Sequence, residues 1–277
     1  IYFNIQNISM EFCGFTVKNG YSAANGGGIY IEQGASPIFK NMIIENNVAE
    51  EKGGGIYNGG ISSYQLHDCI IRGNEVIADG GEDYGGGAIH VEGIDESFTS
   101  FALYKNVLIY GNKAYNGGGV YSSLNSTLFQ NVTIVNNYAL NEGGGLYNIS
   151  IDFENDFFIF ENSIISNNCS ADPDNGNNDI EFGGTSNIRQ VHVFNSYFGE
   201  GCPNCNFFLS ALDYQIGDIY NQEDNGDIFF ESSLVNECSP FQYPFFEDKN
   251  YKVTWNNYPE NDLTKSFSID AGFIDPI

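Results

Sequence analysis

Positive charge is what this chain most lacks. Its 277 residues carry 10 Lys+Arg against 36 Asp+Glu, a formal charge of -26. Such a surface repels phosphate backbones, which argues against nucleic acid as a partner. It equally repels uronate or sulfate polysaccharides and anionic lipid heads. Neutral ligands and divalent cations stay compatible with it, and solubility alone is a sufficient reason for the charge. Long apolar runs are missing as well. No segment approaches the roughly 18 residues of a membrane span, so membrane insertion is not expected. No signal-peptide pattern stands at the start. The chain opens on strand-like Ile1, Tyr2, Phe3 and Ile5, and is expected to be a mature or excised piece of something longer.

Metal-ligand pairs are scarce too. There are three His (His67, His90, His192), and the six Cys include one close pair, Cys202 and Cys205. Zinc would want a second such pair. The Cys202–Cys205 motif lies in a Pro-Asn turn outside any βαβ pattern, which also argues against a thioredoxin-type redox role. A local disulfide there, or bridges from that turn to Cys169 or Cys238, is the better expectation. Cys69 occupies an apolar strand position and reads as a plain buried thiol.

What the chain does have is repetition. Glycine is abundant, at 33 residues, and it recurs at regular places. A Gly-Gly-[Gly/Ala]-[Ile/Val/Leu]-[Tyr/His] motif occurs five times, ending at Tyr30, Tyr57, His90, Tyr121 and Tyr147. An apolar-x-x-Asn-x-small motif precedes the later copies, as in Ile44, Asn47, Ala49; Ile71, Asn74, Val76; Ile109, Asn112, Ala114; and Ile134, Asn137, Ala139. Val17, Gly20, Ser22 is a looser first copy, and Ile165, Asn168, Ser170 a further one. Upstream sits another matched position: Asn41, Asp68, Asn106, Asn131, Asn162 and Asn195. Alternating Ile and Val favour strands, and helical periodicity is absent. Gly and Asn supply tight corners. One coil of roughly 26 to 33 residues cannot bury its own apolar face, but stacked coils can. Matched positions would then lie roughly 4.8 Å apart, and Asn above Asn could form an amide ladder. The expected fold is all-β, a parallel β-helix.

The pairing of [Ile/Phe]-x-x-Asn with Gly-Gly-Ala-Ile resembles the repeats of polymorphic outer-membrane proteins. Gly14, Phe15, Thr16, Val17 and Gly20, followed by the Gly-Gly-Gly-Ile-Tyr runs, resemble bacterial secreted β-helix proteins of the pectate-lyase-like superfamily. The resemblance covers about residues 13 to 200 and implies a right-handed helix and export. Those proteins often finish on Ser-Pro-[Cys/Ala]-Ile-Asp-Ala-Gly. Ser266, Ser268, Ile269, Asp270, Ala271 and Gly272 fit, with Phe267 in place of the proline. Lyases on this fold typically use a Lys or Arg base with Ca²⁺. This chain has two arginines, Arg72 and Arg189, and the wrong charge for an anionic substrate. Since the family is functionally mixed, the fold does not give the function.

Residues 1–199 are expected to form the coils, and 200–277 irregular terminal coils plus a cap in the same continuous domain. Alternation puts Ile29, Ile56, Ile89, Val120 and Leu146 inward, so Tyr30, Tyr57, His90, Tyr121 and Tyr147 are expected to point out. Such a row could stack on sugar rings, or it could be a ladder that only stabilises the sheet. If Phe15, Met42, Cys69, Val107 and Val132 face inward, then Thr16, Ile43, Ile70, Leu108, Thr133 and Ile164 form an outward apolar row; an inverted register or a second buried layer is the other reading. Asp172, Asp174, Asn178 and Asp179 alternate around Gly176 like a Ca²⁺ loop, or form a solvated turn. Glu32 and Glu92 lie on one face two coils apart, near 10 Å by strand spacing, slightly long for an inverting glycosidase pair. Asn-x-Ser/Thr sequons stand at Asn7, Asn125, Asn131, Asn148 and Asn168.

The expectation is therefore a non-catalytic extracellular or cell-surface module, structural or adhesive, with a neutral polysaccharide or a protein as partner. It requires no cofactor, with structural Ca²⁺ as the one candidate. A carbohydrate-active enzyme, and a filament subunit joined through end faces or the apolar row, are the alternatives.

Overall fold

The computed structural model describes residues 1–4, 9–60, 62–81, 83–93, 100–123, 125–149 and 157–171. Further along it describes the strands 180–183, 190–194, 197–198, 219–221, 227–231, 234–235 and 252–256. Through residue 170 each coil contributes one short strand to each of four parallel sheets. One coil reads Ile29–Ile31 in sheet I, Ile38–Lys40 in sheet II, Ile43–Glu45 in sheet III and Val48–Ala49 in sheet IV. The next reads Ile56–Gly59, Gln65–His67, Ile70–Arg72 and Glu75–Val76. Matched positions pair directly: Ile29 with Ile56, Phe39 with Leu66, Ile44 with Ile71, Ala49 with Val76. This is the stacked parallel β-helix that the repeats predict, and the later strands extend sheets I to III by the same parallel pairing.

The core is one continuous column. Ile29, Ile56, Ile89, Val120 and Leu146 line it from sheet I, with Phe39, Leu66, Tyr104, Phe129 and Phe160 from sheet II. Ile44, Ile71, Ile109, Ile134 and Ile165 close it from sheet III. A smaller cluster of Ala49, Val76 and Ala114 sits under sheet IV. Each of these side chains is at most 1% exposed, so its apolar area is almost wholly removed from water. Full burial of an aliphatic side chain is worth about 1.5–3 kcal/mol.

The corners follow from residue type. Asn41, Asp68, Asn106, Asn131 and Asn162 turn sheet II into sheet III with φ between 50 and 55°. Asn and Asp tolerate this left-handed region better than other side chains. Glycine is required where sheet IV meets sheet I, because the coils approach closely there. A Cβ on Gly54 would lie 2.6 Å from the carbonyl oxygens of both Glu75 and Gly87.

Inside the corner after sheet III runs the amide ladder. The Nδ2 of Asn47 donates to Oδ1 of Asn74 at 2.9 Å, and Asn74 to Asn112 at 3.0 Å. Asn112 donates to Asn137, and Asn137 to Asn168, each at 2.9 Å. Every acceptor Oδ1 also takes the backbone N–H of the preceding ladder residue at 2.9–3.0 Å. All five residues are at most 1% exposed, and their amides are fully paired. Gly20 holds the first position, and its N–H caps Asn47 Oδ1 at 2.9 Å.

Candidate functional site

The aromatic row is the feature that the stack builds most regularly. Parallel register places Tyr2, Tyr30, Tyr57, His90, Tyr121 and Tyr147 above one another on the outer side of sheet I. Neighbouring ring centroids lie 4.3–5.6 Å apart. His90 stacks flat on Tyr121 at 4.3 Å and 7°. The row is therefore a continuous cross-strand ladder, each contact adding to the sheet pairing beneath it.

The ladder is not open to solvent, and this corrects the expectation of a flat outward stripe. Tyr57 is 6% exposed, His90 0%, Tyr121 1% and Tyr147 6%. Only Tyr30, half-buried, and Tyr2, exposed, are reachable at one end. A sugar ring cannot stack on a face already covered. Alternation correctly put the rings on the side away from the main core, but it does not report what lies over them.

An ion pair supplies part of that cover. Lys52 stands in the corner before sheet I, and Glu92 ends a sheet I strand on the next coil. Lys52 Nζ meets Glu92 Oε1 at 3.0 Å, with side chains 13% and 33% exposed. The pair thus spans the outer face across the positions of Tyr57 and His90. The Lys52 side chain is largely buried while its ammonium stays paired. Tyr57 completes the strap by donating its hydroxyl to Glu92 Oε2 at 2.6 Å. Gly59 makes room, since a Cβ there would sit 2.8 Å from the Tyr57 ring.

The electrostatics of the strap are those of a fixed ion pair. Burial would raise the Glu92 carboxyl, but the Tyr57 hydrogen bond and the Lys52 ammonium hold it below its ordinary value. Burial and the hydrogen bond to Glu92 push the Tyr57 hydroxyl far up, so it stays a neutral donor. Burial drives His90 down to about 3, with Lys52 assisting, so its ring is neutral. His90 Nδ1 contacts the Gly85 carbonyl at 3.1 Å, and its Nε2 has no partner.

Glu32 and Glu92 are each engaged by other residues of the stack. Glu92 is committed to Tyr57 and Lys52, while Glu32 takes the hydroxyl of Tyr2. Among the described residues, no group of three or more His, Cys, Asp or Glu is placed to share a metal ion. Asp172, Asp174, Asn178 and Asp179 lie outside the described residues, as do Cys202, Cys205 and Cys238. Cys169 is a free, buried thiol, although its register position in sheet IV is the outward one that Val48, Glu75, Lys113 and Tyr138 hold in the preceding coils. Cys69 is buried and free as expected, its thiol pushed up to about 11 by burial.

The second row behaves as an outward face. Met42, Cys69, Val107 and Val132 are buried at 1–2%, while Ile43, Ile70, Leu108, Thr133 and Ile164 are half-exposed on sheet III. Phe15 departs from the pattern at 58% exposed. Beside this row, Arg72 bridges coils by pairing with Glu45 at 2.6 Å and with the Tyr110 hydroxyl at 2.7 Å. Of the sequons, Asn148 and Asn168 are 0% exposed and cannot serve as acceptors; Asn131 is exposed at its corner. Asn7 lies outside the described residues, as does the side chain of Asn125.

The strap is what sequence reasoning missed. Lys52 is the one cation at the position held by Asn25, Gly85 and Asn116 in neighbouring coils. That oddity was visible in the sequence, but its partner was not.

Fold and rows together define a β-helix repeat protein whose conserved-looking positions serve the stack itself. Within it, residues 41–59 match the Chlamydia polymorphic membrane protein repeat. The matched stretch runs from the corner Asn41 through the ladder Asn47 to Gly53, Gly54, Gly55, Ile56 and Tyr57, which is the link from sheet III to sheet I. No curated protein and no solved structure matches the chain.

Proposed function

We propose that this chain is a non-catalytic β-helix segment of a bacterial surface protein, acting as a rigid spacer with an adhesive side face. The observation that carries this reading is the repeat match at residues 41–59, on a coil whose geometry recurs along the stack. A polymorphic membrane protein repeat fits display at the outer membrane or beyond it. The net charge of -26 directs the adhesive face toward neutral glycans or proteins rather than polyanions. With the aromatic row covered, the face in question is sheet III, where Ile43, Ile70, Leu108 and Ile164 stand half-exposed between polar corners.

Antibody labelling and protease shaving of intact cells test display; a signal only after lysis would overturn it. Binding of the purified chain to glycan arrays and to cell surfaces tests adhesion. Ile70→Lys with Leu108→Lys should lower that binding at least tenfold without changing thermal stability. Unchanged binding would remove sheet III from the proposal.

A further inference from the structure

Two sets of buried amides in this protein have opposite hydrogen-bond accounts. In the ladder, the Oδ1 of Asn74, Asn112 and Asn137 each takes two donors, that of Asn47 takes the Gly20 N–H, and each Nδ2 of the four gives at least two bonds. The last inward position of sheet I is different. Register stacks Ile31, Asn58, Val91, Ser122 and Asn148 there, all at most 1% exposed. Asn58 Oδ1, Ser122 Oγ and Asn148 Oδ1 have no partner. The amide nitrogens make little up: Asn58 Nδ2 reaches the Ser62 carbonyl at 3.5 Å, and Asn148 Nδ2 the Ser122 carbonyl at 3.1 Å.

A second account is also unbalanced. Tyr64 and Tyr104 share one hydrogen bond through their hydroxyls, and both side chains are 0% exposed. Two phenols bring two O–H donors, and their mutual bond uses one. The other O–H needs an acceptor in the same interior. Asn58 lies on the coil of Tyr64, and its Oδ1 is an acceptor without a donor. Buried polar groups are almost always paired, with protein or with ordered water, and internal water typically makes about three hydrogen bonds to such groups.

We propose that the interior of the helix binds water at two separate sites on this inward row. The first joins Asn58 Oδ1 to the Tyr64–Tyr104 hydroxyl pair. The second joins Ser122 Oγ to Asn148 Oδ1. Val91 stands between them in the stack, so the sites are isolated and do not form a file along the axis. Asn58 is the decisive position, because its row neighbours Ile31 and Val91 carry no polar side-chain atom that could take the role. Ser122 and Asn148 are direct neighbours, and a rotation could let the Ser122 hydroxyl donate to Asn148 Oδ1.

The test is a crystal structure of the wild-type chain at a resolution that shows ordered water, with the same measurement on Asn58→Leu. The expected result is a density peak at hydrogen-bond distance, about 2.8 Å, from Asn58 Oδ1 and from a tyrosine hydroxyl. It should be lost in Asn58→Leu. Should that variant fail to fold, oxygen-17 relaxation dispersion on wild type counts long-lived internal waters independently, and at least two are expected. A dry Asn58 with its oxygen against carbon atoms, or rotated onto a protein donor, overturns the first site. A direct Ser122–Asn148 bond overturns the second.

Discussion

His90 makes the ladder sensitive to acid, and the magnitude can be worked out. The ring is fully buried between Tyr57 and Tyr121, with Lys52 and Glu92 spanning the outer face over it. In the folded chain it takes a proton only near 3, against 6.5 when unfolded. A depressed basic group contributes stability that is complete above the unfolded value and is lost as pH falls below it. Between pH 6.5 and 3 the unfolded state binds the extra proton. The full difference of about 3.5 units corresponds to a ceiling of about 5 kcal/mol, and at pH 5 about 2 kcal/mol has gone. Many carboxylates titrate in the same range, so the comparison must be with a variant. His90→Phe keeps an aromatic in the stack and removes the titration. The Gly85 carbonyl it releases still accepts the Gly53 N–H at 3.0 Å. The assay is urea unfolding of both proteins at pH 7.5 and pH 5. Wild type should lose about 2 kcal/mol more than His90→Phe over that interval, or about 4–8 °C in Tm. Equal losses would refute the reasoning, since they would mean that His90 titrates alike in both states.

Other substitutions probe the stack directly. Asn74→Leu removes the acceptor of the Asn47 backbone and side-chain N–H groups and the donor to Asn112; about 3–5 kcal/mol should be lost in urea unfolding. Gly54→Ala should fail to accumulate as folded protein, because its Cβ meets backbone oxygens of two coils; Gly80→Ala, with open space around it, should be neutral by circular dichroism. Ile70→Lys should cost under about 0.5 kcal/mol, while Ile71→Lys places a charge in the core column and should abolish cooperative unfolding. Similar effects at Ile70 and Ile71 would show the register to be wrong.

Much of this was legible in the sequence because stacking turns a repeat into geometry. The spacing of Asn47, Asn74, Asn112 and Asn137 is enough to put amide over amide, and Gly-Gly before Ile marks where coils crowd. Side, too, is legible: the alternation Ile56-Tyr57-Asn58 assigns Tyr57 outward and Asn58 inward. Depth is not. Whether an outward ring is bare depends on residues elsewhere in the coil, here Lys52 and Glu92, which are 40 positions apart and share no motif. Cys169 shows the same limit, since a cysteine count suggests bridges while burial in sheet IV is a tertiary fact. Parity could have flagged Asn58, Ser122 and Asn148 as inward polar residues, but not that they would lack partners.

The same reasoning narrows where this protein can meet anything else. A row that stacks well is by that fact occupied. The amides of the ladder are saturated by one another and by backbone groups, and the rings from Tyr57 to Tyr147 are buried, with the Lys52–Glu92 pair bridging coils at Tyr57 and His90. Regularity in a solenoid therefore marks cohesion first, and a partner must be sought where regular rows remain half-open. Sheet III meets that condition through Ile43, Ile70, Leu108 and Ile164, flanked by corner side chains such as Asp68 and Asn106, which bond each other at 2.9 Å. Its strands are three residues long and pinned on both sides by left-handed corners, so the face is presented rigidly and little ordering entropy opposes binding. The proposed adhesion therefore rests on a preorganised, half-apolar face of a strongly acidic body.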